Sequence, residues 1–381
     1  MTLVYLLAGE HSGDVLGARL MAALRAARPG LDFAGIGGPR MAEAGFKSLF
    51  PMQDLAVMGL LEVLPRLAML RRRLRQTEQD VRARRPDVLV TIDSPGFALR
   101  LLERLRGSGL RRAHYVAPQV WAWRESRVRR FPGLWDRLLC LLPFEEAFFA
   151  RHGLPARFVG HPVLESGADQ GVAARFRAAH GLAEGARVLI LMPGSRPSEA
   201  GRLLPVYGAT LALLPDLVPV LPAAAAVAPV VRAMTADWPR PPLIVTDLPG
   251  KHDAYAAAAA ALTKSGTSTL ELALAGVPMA VTYRVNPLTA ALARRMIRVP
   301  HVAMVNLLAG RAVVPELLQQ DCRPDRLAAT LATLIADPAA ADAQRTAFRG
   351  VMRTLTPPHG SPSAAAAAAV LDLLDQPQER P

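Results

Sequence analysis

Short apolar runs of strand length recur along almost the whole chain, with helix-like patterns between them. The first series is LVYLLAG from residue 3, FAGIGG from 33, VLVTID from 88, HYVAP from 114, RLLCLLP from 137 and RFVGHP from 157. The second series is VLILMPGS from 188, LVPVLP from 217, PLIVTD from 242, AALTKSG from 260 and PMAVTYR from 278. Because such alternation is typical of parallel α/β sheets, the two series predict two Rossmann-like domains.

The length supports two domains, since single hydrophobic cores stop growing near roughly 250 to 300 residues and this chain has 381. The small and polar stretch LESGADQG, residues 164–171, is the predicted linker. We therefore predict domains over 1–165 and 172–355, with a C-terminal helix and tail over 356–381. After Arg311 we expect only helices, including one over the alanine run Ala364–Ala369. Ligands of such folds bind at the carboxyl ends of the strands, which predicts a cleft between the two halves.

The composition excludes several classes of protein. Cys140 and Cys322 lack the spacing of metal ligands or of a disulfide framework, which fits a reducing cytoplasm. The start of the sequence lacks the pattern of a signal peptide, and Asp216 and five prolines interrupt the longest apolar stretch, residues 203–231. The net charge of +13 comes almost wholly from arginine side chains. Such a charge favours binding of phosphate or anionic lipid, but a compositional bias of the sequence explains it equally well. No nucleic-acid reader motif is present, so we expect no nucleic-acid partner.

The segment SGTSTLE, residues 265–271, is the strongest signal for a ligand. Ser265, Gly266 and Thr267 follow a predicted strand and precede a predicted helix, whose first backbone N–H groups would face an anion such as a diphosphate. Glu271 lies one helical turn later, where its carboxylate could accept hydrogen bonds from a ribose. Ordinary Ser/Thr capping of a helix explains the same residues, so the motif alone leaves both interpretations open.

Two further strand ends in the first half carry acidic residues. Glu10 follows the first strand directly, and Ser12 and Asp14 stand at the start of the next predicted helix, where they are ligand contacts or simple caps. His11 fits a solvated loop better than a base. Asp93 ends the strand DVLVTID, a position that suits a general base or the cap of the following helix.

A helical pattern over residues 55–74 combines an apolar face with an arginine cluster. Such a helix can lie in a membrane interface or hold acyl chains beside a phosphate, although a core helix with a charged end gives the same pattern. Pro65 is expected to bend it. The residues expected to contact acyl chains or the membrane are Val57, Leu60, Leu64, Leu67, Arg71 and Arg72.

The turn PGSRPSE, residues 193–199, repeats the strand-to-helix pattern in the second half. Its Arg196 could neutralise the charge of a departing diphosphate. The chain contains no Asp-x-Asp sequence, which disfavours a metal-dependent diphosphate site. We therefore expect neither a metal nor another cofactor.

Taken together, these motifs resemble the lipid-A-disaccharide synthase family. They run in order from residue 8 to 311 and read AGEHSGDVLGA, GIGGPRMAEAG, AVMGLLEVL, HYVAPQVWAWR, LLPFE, FVGHP, MPGSRPSE, SGTSTLE and NLLAGR. The resemblance implies an inverting glycosyltransferase of the GT-B type with a helical C-terminal tail. Its reaction would join UDP-2,3-diacylglucosamine to 2,3-diacylglucosamine 1-phosphate, releasing UDP and a β(1→6) disaccharide.

The resemblance also implies roles for individual residues. The second half would bind UDP, with Ser265, Gly266 and Thr267 at the diphosphate, Glu271 near the ribose, and Arg196 and Asn306 nearby. Asp93 is the leading candidate to deprotonate the acceptor hydroxyl, and Glu10 is the second. Because both substrates carry acyl chains, the resemblance favours a cytoplasmic protein that binds the inner membrane peripherally. A monomer and a homodimer both stay open.

The chain departs from the family pattern at two places. Where many members read I-D-A-P-D-F-N, this chain has Ser94, Gly96 and Ala98, and the L-P-N before LAGR is replaced by Met304-Val305-Asn306. Neither change affects Asp93, the SGT turn or Glu271. Rival interpretations are a UDP-N-acetylglucosamine 2-epimerase, an undecaprenyl-linked N-acetylglucosaminyltransferase, and a non-catalytic, basic, membrane-surface or nucleic-acid-binding protein that keeps only the nucleotide fold. The motifs of the first half argue against both rival enzymes.

Overall fold

A computed structural model describes residues 2–55, 60–123, 125–224, 227–286 and 299–377, and for residues 60–64 it describes the backbone alone. The chain divides into two compact units. Unit 1 comprises Met1–Pro162 and Leu355–Pro381, and unit 2 comprises Val163–Thr354. The first division lies three residues before the predicted end of the N-terminal domain. The predicted C-terminal segment does not stand apart, because it belongs to unit 1.

Unit 1 contains a six-stranded parallel sheet in the order β2-β1-β3-β4-β5-β6. Its strands are β1 Leu3–Ala8, β2 Asp32–Ile36, β3 Val88–Ile92, β4 Arg111–Tyr115, β5 Arg137–Cys140 and β6 Ala156–Phe158. Its first six helices are α1 His11–Ala27, α2 Pro39–Glu43, α3 Leu60–Arg84, α4 Pro95–Arg104, α5 Val120–Trp123 and α6 Pro143–Ala150. Short 3₁₀ helices lie at Met52–Asp54 and Glu125–Arg130.

Unit 2 contains a second six-stranded parallel sheet, in the order β12-β11-β10-β7-β8-β9. Its strands are β7 Arg187–Met192, β8 Leu217–Pro222, β9 Leu243–Val245, β10 Ala258–Lys264, β11 Met279–Tyr283 and β12 Glu316–Leu318. Its helices are α7 Ala173–Ala179, α8 Pro197–Ala212, α9 Ala228–Thr235, α10 Leu248–Ala257, α11 Ser268–Leu274, α12 Met304–Ala309, α13 Pro324–Ala336 and α14 Pro338–Leu355. The 3₁₀ turns are Pro162–Glu165 and Gln319–Asp321.

The two-residue repeat of a strand explains how β1 is buried on both faces. Val4, Leu6 and Ala8 pack into one core cluster, whereas Tyr5 and Leu7 pack into the cluster on the opposite face. All five side chains are fully buried. Because helices cover both faces, the strand reads in the sequence as one continuous apolar run.

The alanine run in the C-terminal segment forms the predicted helix, α15 Pro362–Asp375, and the small side chains explain where it packs. Ser361 caps the helix by accepting a hydrogen bond from the backbone N–H of Ala364 at 3.3 Å. Ala366 and Ala369 are fully buried in the same cluster as β1 and α1. The absence of long side chains lets α15 lie directly against α1, which places the end of the chain in unit 1.

The expectation that only helices follow Arg311 is wrong, because β12 extends the second sheet at its edge. Val281, Thr282 and Tyr283 of β11 pair in parallel with Glu316, Leu317 and Leu318. A three-residue strand with only Leu317 buried carries no apolar run that the sequence could reveal. Among the helices of the described residues, none is long and apolar enough to cross a membrane.

We expect the stability of unit 1 to fall in mild acid because of a buried histidine. His114 on β4 is fully buried, stacks on Trp135 and lies 2.7 Å from the Thr91 hydroxyl through Nδ1. Burial lowers the pKa of His114 to about 4, from 6.5. The unfolded chain therefore takes up a proton that the folded state excludes, and the free energy of unfolding falls by about 3 kcal/mol as the pH drops from 6.5 to 4.

Urea unfolding of the wild type and of His114→Gln between pH 4 and 7 measures this effect. The variant should lose part of the pH dependence, while His161, whose pKa burial also lowers to about 4, retains the rest. Identical pH dependence in both proteins would show that His114 does not contribute.

Candidate functional site

The ends of β1 and β3 are in contact at the carboxyl edge of the first sheet. An ideal Cβ built on Gly9 would lie only 2.4 Å from the hydroxyl oxygen of Ser94, so only glycine allows the two turns to approach this closely. Ser12, at the start of α1, donates a hydrogen bond to Asp93 Oδ2 at 3.2 Å. The structure thus brings Glu10, which directly precedes α1, and Asp93 to neighbouring turns of one edge.

Asp93 and Ser94 both adopt left-handed backbone conformations, with φ of 53° and 48°. Consecutive non-glycine residues in this region cost on the order of 1–3 kcal/mol each, and such strain clusters at functional sites. The backbone N–H of Asp93 donates to the Tyr115 carbonyl at 2.8 Å, which fixes the turn to β4. Asp93 does not cap α4 with its side chain, since Ser94 is the residue at the cap position.

Asp14 has a different role from the residues around it. Its side chain is fully buried and accepts backbone hydrogen bonds from Gly38, Arg40 and Met41 at 2.8, 2.9 and 3.1 Å. These N–H groups belong to the start of α2, so the carboxylate holds that helix rather than capping its own. His11 is exposed.

In unit 2 the SGT turn lies between β10 and α11, as predicted. Ser265 donates its hydroxyl hydrogen to the Val302 carbonyl at 2.7 Å, and Thr269 donates to the Gly266 carbonyl at 2.7 Å. Both contacts fix the turn from within unit 2. Thr267 is exposed at the start of α11, and the backbone N–H groups of Thr269 and Leu270 donate to the Gly266 and Thr267 carbonyls at 3.1 and 3.0 Å.

Glu271, one turn into α11, forms an ion pair with one residue of α10 and accepts a hydrogen bond from another. Lys251 Nζ lies 2.6 Å from Glu271 Oε2, and the Tyr255 hydroxyl donates to the same oxygen at 3.3 Å. Burial raises the pKa of the Tyr255 hydroxyl well above its ordinary value, and the charge of Glu271 raises it further. Tyr255 therefore stays protonated and serves as a donor. Glu271 is 28% exposed, so a ligand can reach it.

Arg196 lies next to a small polar pocket at the carboxyl edge of the second sheet. Its guanidinium contacts Glu199 Oε1 at 3.3 Å, and Lys264 Nζ contacts the same oxygen at 2.8 Å. The pocket has a volume of about 160 Å³. It is lined by Arg196, Ser198, Glu199, Arg202, Leu203, Lys264, Tyr283, Arg284 and Val285. The arrangement provides several cations for an anionic ligand, and sequence reasoning had identified only Arg196 among them.

Asn306 lies in the interior of unit 2. It is fully buried, and its amide nitrogen donates to the Val314 carbonyl at 2.9 Å and to Glu316 Oε1 at 2.8 Å. Its amide oxygen accepts from the backbone N–H groups of Val313 and Val314. These four bonds use both donors and both lone pairs of the amide. Asn306 therefore orders the loop before β12, and its amide hydrogen-bonding groups are all used within unit 2.

The predicted acyl-contact helix corresponds to α3, which contains Pro65. Val57 lies outside the described residues, and the side chains of Leu60 and Leu64 are likewise not described. Leu67 is half-buried, and Arg71 and Arg72 are exposed. Arg73 instead packs inward, because it pairs with Asp54 at 2.6 Å and stacks over Phe50.

Sequence reasoning missed a buried carboxyl in the LLPFE motif. Glu145 accepts hydrogen bonds from the Trp121 indole at 3.0 Å and from the backbone N–H groups of Leu141 and Leu142 at 3.1 Å. Burial raises its pKa to about 7, against the lowering effect of these bonds. It fixes the Trp121 side chain of α5 to α6. Within the described ranges no group of three His, Cys, Asp or Glu side chains is arranged to hold a metal ion.

Comparison with known proteins identifies close relatives over nearly the full length. A family model described as lipid-A-disaccharide synthetase matches residues 4–369. The lipid-A-disaccharide synthase of Granulibacter bethesdensis is 63% identical over 98% of this chain and 99% of its own. The corresponding protein of Gluconobacter oxydans is 62% identical over 99% of this chain and 92% of its own.

Solved structures with the same architecture have much lower identity. The UDP-GlcNAc 2-epimerase of Neisseria meningitidis bound to UDP-GlcNAc has a TM-score of 0.64 at 12% identity, covering 99% of this chain and 100% of its own. The glycotransferase of kitacinnamycin gives 0.65 at 19%, covering 98% of each chain, and MurG of Acinetobacter baumannii gives 0.54 at 15%, covering 98% and 99%. These likenesses show the fold alone and confirm the predicted GT-B architecture.

We expect Asn306→Ala to destabilise unit 2 because the amide is buried and fully hydrogen-bonded. The substitution leaves two backbone N–H groups and one carbonyl without their side-chain partner, and it removes one of several donors to Glu316. The free energy of unfolding should fall by about 2–4 kcal/mol in urea titrations. Gln320→Ala, which removes an exposed amide from the same unit, is the matched control and should cost under about 0.5 kcal/mol. Equal effects of the two substitutions would contradict the buried role of Asn306.

Proposed function

The chain belongs to the lipid-A-disaccharide synthase family, and we propose that unit 2 binds its sugar nucleotide while unit 1 supplies the catalytic base. Family membership makes it a glycosyltransferase that forms the disaccharide of lipid A. The proposed donor is UDP-2,3-diacylglucosamine and the proposed acceptor is 2,3-diacylglucosamine 1-phosphate. The single observation that carries the assignment of a base is the strained turn at Asp93, which holds a carboxylate beside Ser12 at the edge of the sheet.

The donor half of the proposal rests on the residues around β10 and β7. Ser265, Gly266 and Thr267 would receive the diphosphate at the start of α11, where N–H groups and the helix dipole favour an anion. Arg196 would add a positive charge from the start of α8. Glu271 would accept hydrogen bonds from the ribose hydroxyls, and its present partners Lys251 and Tyr255 would keep it oriented.

The chemical step in this proposal is an inverting displacement. The 6-hydroxyl oxygen of the acceptor attacks the anomeric carbon of the donor and transfers its proton to the Asp93 carboxylate. The bond between the anomeric carbon and the diphosphate oxygen breaks, and its electron pair leaves with UDP. The hydroxyl of Ser12 keeps the carboxylate oriented through the 3.2 Å hydrogen bond. Glu10, on the adjacent turn, is the second candidate for the base.

Replacing the proposed base tests this mechanism. Asp93→Asn keeps the size of the side chain but removes its basicity, so kcat should fall by about 10² to 10⁴-fold. The affinity for UDP, measured by calorimetry, should not change, because the donor residues lie in unit 2. Asp216→Asn removes an exposed carboxylate from unit 2 and should leave both quantities unchanged. If Asp93→Asn had the wild-type kcat, Asp93 would not be the base and Glu10 would become the leading candidate.

We further propose that α3 attaches the protein to the cytoplasmic face of the inner membrane. The apolar positions Leu60, Leu64 and Leu67 share one face of the helix by their spacing. Arg71 and Arg72 follow about a turn later and are exposed, where they can pair with lipid phosphates. The acyl chains of both proposed substrates supply the chemical reason for such a surface.

Serine substitution of the apolar face tests the attachment. The triple variant Leu60→Ser, Leu64→Ser, Leu67→Ser should shift the protein from the vesicle-bound to the free fraction in flotation with anionic lipid vesicles, since each buried leucine contributes about 1.5–3 kcal/mol. The control exchanges two exposed leucines of unit 2, Leu213→Ser and Leu248→Ser, and should float like the wild type. Undiminished binding of the triple variant would exclude α3 as the anchor.

A further inference from the structure

The lysines of this chain are concentrated at one site. Of 45 basic residues, only Lys47, Lys251 and Lys264 are lysines, and two of these three flank the SGT turn in unit 2. Lys251 pairs with Glu271 at 2.6 Å, and Lys264 pairs with Glu199 at 2.8 Å. An ammonium group is a compact charge with three rotatable donors, which suits a contact that must adapt to a phosphate.

Lys264 is the last residue of β10 and directly precedes the SGT turn. Its side chain is 21% exposed and lines the 160 Å³ pocket together with Arg196, Arg202 and Arg284. The four cations and the single carboxylate of Glu199 give the pocket lining a formal charge of plus three. A pocket of this charge and size fits a diphosphate group.

The carboxylate of Glu199 is held in an unfavourable environment. Its Oε1 contacts both Lys264 and Arg196, whereas its Oε2 is buried and has no hydrogen-bond partner among the residues that the structure describes. An ideal Cβ on Gly194 would lie 2.2 Å from Oε2, so only glycine leaves room for the carboxylate at the end of β7. Gly194 has a φ of 114°, which also favours glycine.

A carboxylate beside an anion site weakens anion binding by its own charge. A half-satisfied buried carboxylate also costs stability. The position of Glu199 therefore needs another explanation. In the structure, Glu199 Oε1 contacts both the Lys264 ammonium group at the end of β10 and the Arg196 guanidinium at the start of α8. It therefore fixes these two cations at one point of the pocket wall.

We propose that Glu199 is a positioning residue that holds Lys264 and Arg196 where the diphosphate of the sugar nucleotide leaves. This inference rests on the proposed function. When the bond between the anomeric carbon and the diphosphate oxygen breaks, the diphosphate gains one negative charge. A cation already fixed at that point stabilises the new charge without reorganising. Lys264 binds the diphosphate directly, and Glu199 acts through Lys264.

Binding of UDP and uridine separates the phosphate contact from the rest of the nucleotide. Lys264→Met should weaken UDP binding by about ten- to a hundredfold, the effect of losing one charge-assisted hydrogen bond. Uridine affinity should stay constant because uridine lacks phosphate. Lys47→Met removes the remaining lysine, which is exposed in unit 1, and should alter neither affinity. Unchanged UDP binding by Lys264→Met would overturn the proposal.

Steady-state kinetics of Glu199→Gln distinguish positioning from simple electrostatics. The variant removes a negative charge from the pocket, so UDP affinity should stay equal or increase while kcat falls by about tenfold or more. If the only effect of Glu199 were to repel the anionic ligand, Glu199→Gln would keep the wild-type kcat. That result would overturn the proposal. In the Lys264→Met background the same substitution should have almost no further effect on kcat, because the group it positions is already missing.

Glu199→Asp provides a second variant, since it keeps the charge but withdraws the carboxylate by one methylene. Glu199→Asp should lower kcat as Glu199→Gln does. If Glu199 had a purely structural role, the substitution would lower the thermal midpoint of unfolding and leave kcat unchanged. The UDP and uridine titrations need no acceptor substrate. If the UDP titrations give the expected affinities but no disaccharide forms, the proposed reaction is refuted. If the disaccharide forms but Lys264→Met binds UDP like the wild type, the role of Lys264 is refuted.

Discussion

Parallel pairing of strands is the constraint on which the arrangement of this protein depends. All strands of a parallel sheet end at the same edge, and helices cover both faces of each sheet here, so groups that can reach a ligand are concentrated in the turns at the strand ends. Gly9-Glu10 and Asp93 occupy such ends in unit 1, and Gly194, Lys264 and the SGT turn occupy them in unit 2. Within each unit the apolar core fixes the strands, and the strands bring the residues of that unit's edge together although they are far apart in the sequence.

Two carboxylates with little exposure, Asp14 and Glu316, organise loops near these edges. Asp14 holds the start of α2 through three backbone N–H groups, and Glu316 accepts from the N–H groups of Val302 and Ala303 and from the amide of Asn306. Val302 in turn accepts a hydrogen bond from Ser265. A charged acceptor makes hydrogen bonds roughly twice as strong as a neutral one, which suits loops that lack the regular pairing of a sheet. The SGT turn is therefore supported by a chain of contacts that extends to the edge strand β12.

The sequence predicted the sheets far better than the contacts within the site. Strands β1 to β11 each overlap an apolar run in the sequence, and in the central strands burial on both faces explains that run, whereas the three-residue β12 overlaps none of the runs. The alanine helix was predictable from propensity. The roles of Asp14, Asn306 and Glu199 were not, because each depends on a partner whose position is set by the tertiary fold: Glu199 and Lys264 are 65 residues apart in the sequence. A carboxylate in a turn looks the same in the sequence whether it binds a ligand, a helix end or a lysine.

We propose that the nucleotide binds at the carboxyl edge of unit 2 and that the base lies in unit 1. Amide hydrogen exchange with and without saturating UDP locates the nucleotide. We expect slower exchange in residues 193–199 and 264–271 on binding, with the turns at residues 9–14 and 92–96 unchanged. Protection confined to the turns of unit 1, with none around the SGT turn, would contradict the proposal.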